Sequence, residues 1–299
     1  MAAKRSAGAT TALLLTLVLA AIAADPATAP VAAADLQVQV SDVTDTRSLS
    51  SSSAGLAIDV RVSGADLAGA QAFRTTLERA SDDTGRSLLP AKGPPQEFIT
   101  LDAGTPPQAR LTLKLASPAR KASSLRSVAG VIELYVPARD PGSVITVAQV
   151  AVRPRIEVAS PALRAAGIQL TVVAKDEFDR QAKELQGKTL PPLPEPLAGM
   201  EAMVEELGKA FLSMLSGLAA ESKGQLILRV QDPRANLVRV EVLDAAGKLI
   251  ASNGRLTLGE LHSYLFREPL PPTARMRVYA ATPRSLVRLP LELPPVQLP

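Results

Sequence analysis

The chain has 299 residues, 33 basic and 29 acidic, for a formal charge of +4, with no Cys, no Trp and one His. Without cysteine there are no disulfides, thiol nucleophiles, Cys-bound zinc ions, iron–sulfur clusters or lipid-anchored N-terminal Cys. A single His excludes any mononuclear centre that takes two His ligands from one chain. Five Phe and three Tyr are too few for a base-stacking platform, and the basic residues are scattered, so nucleic acid is not an expected partner. A 46% hydrophobic and 21% charged composition suits a folded globular protein. At roughly 100–200 residues per domain the length suggests two domains.

Lys4 and Arg5 precede an uncharged Leu/Ala-rich run at residues 10–24, followed by small-residue triplets such as Ala21-Ile22-Ala23 and Ala32-Ala33-Ala34. This is the layout of a secretory signal peptide. Its apolar core is shorter than the roughly 20 residues of a spanning helix. Residues 1–34 are therefore read as a signal segment and flexible lead-in, and the mature protein as periplasmic or secreted with no stable membrane span.

From residue 35 to 174 the dominant hydrophobic period is two. Leu36, Val38 and Val40 alternate with polar residues, as do Leu56, Ile58, Val60 and Val62, and Leu111, Leu113 and Leu115. Further strand candidates fall at 131–136 and 144–152, and residues 72–77 read either as a helix from Asp66 or, in better accord with the turn after them, as part of a hairpin. Turn residues separate the runs, among them Asp82-Asp83-Thr84-Gly85 and Asp140-Pro141-Gly142. Short alternating strands with frequent turns predict an antiparallel β-sandwich. One short helix is expected after Ser160 as N-cap, with Pro161 at its first position and Gly167 at its C-terminal end. A strand at 168–173 follows.

Residues 175–222 are expected to connect two such domains. Residues 176–185 form a polar helix, and 188–196, with four prolines, a stiff extended linker. Residues 197–221 predict an amphipathic helix whose face carries Met200, Val204, Leu207, Phe211, Leu215 and Leu218 at three- and four-residue steps. That stripe either packs on a sheet or binds a protein partner. From 223 to 299 the two-residue period returns, with strands expected at 226–230, 237–243, 249–251, 276–279 and 287–293. A hairpin turn is expected at Ala245-Ala246-Gly247, and a helical turn or edge segment at 258–266. The expected fold is mainly β: two immunoglobulin-like β-sandwich domains joined by a proline-rich linker and an amphipathic helix.

Pro118-Ala119-Arg120-Lys121-Ala122, Gly130, Glu133-Leu134-Tyr135-Val136-Pro137, Asp140-Pro141, the 82–86 turn and the 287–290 segment carry a resemblance. On these residues the chain resembles a loose group of uncharacterised exported bacterial proteins. The resemblance implies an envelope or secreted location and a β-rich build, and it carries over no functional residue.

The residues that could carry chemistry are few. Asp83-Thr84-Gly85 spells the aspartic-protease triplet, but that chemistry needs a second carboxylate on an equivalent loop between apolar strands, and no second triplet occurs. It reads as a turn. His262 is the one candidate general base, and no Gly-x-Ser-x-Gly elbow accompanies it. Sugar clefts are usually lined with Trp and Tyr, which are absent or scarce here. Asp42 with Asp45, or Asp82 with Asp83, could hold a loop calcium ion, without EF-hand spacing. No phosphate-binding loop occurs. No cofactor is expected. The expected role is non-enzymatic, a structural or protein-binding component of the cell envelope or secreted space. The alternative is an extracytoplasmic hydrolase or small-ligand-binding protein, which a pocket at His262 would favour.

Overall fold

The computed structural model describes residues 37–47, 54–90, 93, 95–101, 108–152, 155–186 and 222–299. The protein is mainly β, with several antiparallel sheets. Its first six strands are β1 (Gln37–Thr46), β2 (Gly55–Ser63), β3 (Ala72–Asp82), β4 (Ile99–Thr100), β5 (Gln108–Leu115) and β6 (Ser124–Tyr135). Next come β7 (Val144–Ala148), β8 (Ile156–Glu157), helix α1 (Pro161–Ala166), β9 (Gln169–Val173) and helix α2 (Lys175–Gln186). The remainder is β10 (Gly224–Gln231), β11 (Leu237–Leu243), β12 (Leu249–Ile250), β13 (Gly254–Leu258), β14 (Leu261–Phe266), β15 (Arg275–Ala280), β16 (Leu286–Leu293) and β17 (Val296–Gln297).

The first unit has two sheets, ordered β1-β2-β5 and β16-β6-β3-β4, with β17 continuing along β6. The alternation of β2 sends Leu56, Ile58, Val60 and Val62 inward, and β5 sends Leu111, Leu113 and Leu115. They share one core with Phe73 of β3, Ile132 and Leu134 of β6, and Leu289, Leu291 and Leu293 of β16. Each such leucine contributes about 1.5–3 kcal/mol by leaving water. Gly130 marks the closest approach of β6 to β3: an added Cβ would collide with the Thr76 carbonyl.

The second unit also has two sheets, β13-β14-β10-β9-β8 and β12-β11-β15-β7. Its core takes Leu170, Val172, Leu226, Leu228 and Phe266 from the first of these and Val242, Met276, Val278 and Ala280 from the second. Helix α1 closes one end with Leu163 and Ala166. As expected, Ser160 Oγ accepts from Ala162 N–H and Gly167 ends the helix at φ 74°, a left-handed conformation that glycine adopts without steric cost. Helix α2 lies on the outer face, where Phe178 packs on Val173, Ile227 and Leu261 and Glu177 pairs with Arg229.

The strand pairing does not follow the expected boundaries. β7 follows β6 in the chain but pairs with β15, and β16 follows β15 but pairs with β6. The segment 286–297 thus completes the first unit, and 144–173 belongs to the second. Alternation identifies each segment as a half-buried strand but does not say which sheet edge receives it. Two local expectations also change. Strand β7 stops at Ala148, and Gln149, at φ 57°, begins a turn. Residues 261–266 form β14, an interior strand between β13 and β10. One face lies in the core and the other is buried as well, with Leu261 packed against Phe178 of α2, which hides the two-residue period. The signal segment, the 188–196 linker and the helix face Met200, Val204, Leu207, Phe211, Leu215 and Leu218 lie outside the described residues.

Candidate functional site

The two units meet where the chain crosses between them. Ser143 and Ser285, each immediately before a crossing strand, are fully buried. Val136 N–H donates to Ser285 O at 2.8 Å, and the Tyr135 hydroxyl lies 2.9 Å from Ser143 Oγ. Thr282 Oγ1 donates to Asp140 Oδ2 at 2.6 Å, tying the two crossovers to each other. Beside them Arg74 of β3 spreads its guanidinium over four acceptors: Glu133 Oε2 at 2.6 Å, Arg234 O at 2.8 Å, Ala235 O at 2.9 Å and Asn236 Oδ1 at 3.2 Å. The same group stacks 4.5 Å over the Phe98 ring. Glu133 is buried and is shared with Arg288, whose Nε donates to its Oε1 at 2.8 Å. On the other side Arg239 donates to Gln71 Oε1 at 2.8 Å and stacks 3.9 Å over Tyr279. Planar guanidinium groups suit such shared sites because their donors are fixed in a fork.

Next to this junction opens a cleft of about 500 Å³. Its polar lining is Glu97 from the first unit and Gln231, Asp232, Arg255, Glu260 and His262 from the second. Arg255 and Glu97 close it with an ion pair at 3.2 Å. Asp232 uses Oδ2 to accept from Leu237 N–H at 2.6 Å, while its buried Oδ1 and the buried Nδ1 of His262 meet no hydrogen-bond partner among the described residues. His262 stands on β14 opposite Leu228, a core residue, and therefore on the core-facing side of the sheet. Burial, followed by the charge of Arg255, pushes its pKa below the ordinary 6.5, against opposing contributions from Glu97 and Asp232. The imidazole is neutral at pH 7 and can serve as a hydrogen-bond partner.

A nucleophile is not assembled around it. Ser263 is the next residue along β14, so it points to the opposite face, and it is fully buried with Gln225 Nε2 donating to its Oγ at 2.7 Å. Among the described residues, none lining the cleft carries a hydroxyl or an amine. The cleft can bind polar groups, but it holds no Ser–His arrangement.

The Asp-Thr-Gly segment is the expected turn. Asp82 is fully buried at the end of β3. Its Oδ1 accepts from Thr84 N, Thr84 Oγ1 and Arg86 N, and its Oδ2 accepts from Ala119 N at 2.9 Å. Burial alone would raise its pKa, but these donors outweigh it and hold the carboxyl below 3.8. Asp83 accepts from the backbone N–H and hydroxyl of Ser123. Both carboxylates are occupied in pinning the turn. Among the described residues no group of three or more His, Asp or Glu side chains could hold a metal ion, and no described helix is long and apolar enough to cross a membrane.

Sequence reasoning singled out His262 and missed Arg74, Glu97, Glu133, Asp232 and Arg255. These come from separate segments joined only by the crossover topology, so no linear spacing marks them. Comparison with known proteins finds nothing similar: no family model, no curated protein and no solved structure matches the chain.

Proposed function

We propose that the protein is an exported, non-enzymatic structural or protein-binding component of the cell envelope or secreted space, built from two immunoglobulin-like sandwich units. The strand order supports the sandwich reading. With β9, β10, β14 and β13 read as A, B, E and D, and β12, β11, β15 and β7 as C′, C, F and G, the sheet orders of the second unit are those expected of an immunoglobulin-like sandwich, which supports the reading. The first unit has the same order, with no counterpart of β13 among the described residues. The signal-like segment at residues 1–34 supports export.

The observation that carries the role is the junction. Arg74, which reaches Arg234, Ala235 and Asn236 of the second unit, Arg239, which reaches Gln71 of the first, and the two crossovers hold the units against each other, which suits a rigid element that displays loops and edge strands to a partner. The test has two parts. N-terminal sequencing of the exported form should find residues up to about 34 removed, and an intact Met1 would overturn cleavage. A pull-down from envelope fractions with the mature chain should recover a defined protein. Equal recovery by a folded Leu207→Asp/Phe211→Asp variant would remove the 197–221 helix as the contact.

A second reading, small-ligand binding, is favoured by the cleft at His262 and its two unpartnered buried atoms. A measured activity or ligand affinity of the mature chain that disappears in His262→Ala would replace the first reading.

A further inference from the structure

Six strands of each unit correspond in order and pairing. Strands β1, β2, β3, β4, β5 and β6 match β9, β10, β11, β12, β14 and β15, and every pairing among the first six recurs among the second. The strand that closes each unit is the one part out of chain order: β16 closes the first and β7 the second. The two closing strands enter at the same step. Tyr135, the last residue of β6, pairs with Leu286, and Tyr279, near the end of β15, pairs with Val144. Leu286 and Val144 each follow a fully buried serine. Counting along both ladders, Glu133 faces Arg288 and Arg277 faces Thr146.

Equal registers mean that the same chain has another way to close. β7 could fold back on β6 through residues 136–143, and β16 on β15 through residues 280–285. Both connections exceed the roughly two residues that a tight hairpin requires. We propose that the chain has two closed topologies, the exchanged one described above and an unexchanged tandem one, and that the charges of Glu133, Arg277 and Arg288, with the neutral Thr146 opposite Arg277, select the exchanged form.

In the exchanged form Glu133 Oε1 accepts from Arg288 Nε at 2.8 Å, and Arg277 lies opposite a neutral threonine. In the tandem form, at the same steps, Glu133 would lie opposite Thr146 and Arg277 opposite Arg288. The first change loses an opposite-charge pair, and the second sets like charges face to face, which destabilises a strand pair. Side-chain supply acts in the same direction. β16 delivers Leu289, Leu291 and Leu293 to the larger first core, whereas β7 offers only the half-buried Ile145 and Val147. The selection works by penalising the competing pairing as well as by favouring the observed one. It does not depend on where the protein acts.

The full-length chain suits a direct test because it has no cysteine. Val131→Cys with Pro290→Cys places thiols on directly paired residues of the exchanged form. Val131→Cys with Ala148→Cys does so only in the tandem form. After refolding from urea under mild oxidation, the parent background should give the 131–290 cross-link and not the 131–148 one. In the Thr146→Arg/Arg288→Glu background the charges favour tandem pairing, and the 131–148 cross-link should rise by roughly tenfold or more, at the expense of 131–290. An unchanged preference for 131–290 in that background overturns the proposal, as does a 131–148 cross-link that dominates in the parent. If the double variant does not fold, Arg288→Gln decides. This arginine is 67% exposed, so the substitution is mild. A 131–148 cross-link above the parent level supports the proposal, and one at the parent level overturns it.

Discussion

Arg74 and Ala235 meet across the junction, with Arg74 Nη1 donating to the Ala235 carbonyl at 2.9 Å. Ala235 sits at φ 51°, a left-handed conformation that residues with a Cβ seldom adopt. The turn that holds it there presents the carbonyls of Arg234 and Ala235 side by side to one guanidinium. Arg74→Ala should therefore lower the unfolding free energy by about 3 kcal/mol, since it leaves the buried Glu133 with a single partner. Arg74→Lys should recover less than half of that, because an ammonium cannot reproduce the fork. Urea unfolding followed by circular dichroism measures both. Parent-like stability of Arg74→Ala would mean that this arginine contributes nothing to the junction.

The last strands should decide the stability of the first unit. Leu291→Ala should cost about 3 kcal/mol, within the range for a buried leucine. A chain ended after Ser285 loses the buried Leu289, Leu291, Leu293 and Val296. At about 1.5–3 kcal/mol each, their sum rivals the whole stability of a typical domain. Limited proteolysis of that shortened chain should cut within residues 55–135 and spare 224–280. Continued protection of 55–135 would refute the assignment of β16 to the first core.

Asp82 should behave as a structural acid. Asp82→Asn keeps one acceptor oxygen and leaves at least one of the four N–H and O–H donors unmatched, at a cost of about 2 kcal/mol. The folded-state pKa lies below 3.8, so the carboxylate's stabilisation is complete above that value and lost as pH falls through the lower folded-state value. Acid titration of the parent and Asp82→Asn should show a shallower acid limb in the variant. Identical limbs would contradict the assignment.

His262 predicts a second pH effect, of the opposite charge type. Its folded-state pKa is below 6.5, so as pH drops the unfolded chain takes up the proton first. Stability should decline as pH falls from above 6.5 towards the lower folded-state value and then level off. His262→Gln should abolish that segment of the curve while leaving the fold intact. Melting temperatures between pH 8 and pH 5 test this, and a slope that persists in the variant would assign it to another group.

Much of the local structure was readable because it obeys short-range rules. Ser160, Pro161 and Gly167 bracket α1 as their capping chemistry requires, and Gly247 forms the turn before β12 at φ 85°. The inward rows of β2 and β5 follow directly from alternation. Strand β14 escaped because both of its faces are covered, which removes the polar half of the pattern. The destinations of β7 and β16 escaped for a different reason. Pairing is chosen by complementarity between residues such as Glu133 and Arg288, which are far apart in the chain. The cleft was invisible for the same cause: Glu97 and Arg255 become neighbours only after the two units have been laced together.

Because β1 and β16 belong to the same unit, tension applied between Gln37 and Gln297 is borne by the first unit alone. The second unit is attached to it through the two crossovers and the Arg74 and Arg239 contacts, outside the line of force. A molecule stretched between two anchorage points would thus carry its second unit as docked cargo, shielded from load until the outer strands tear away.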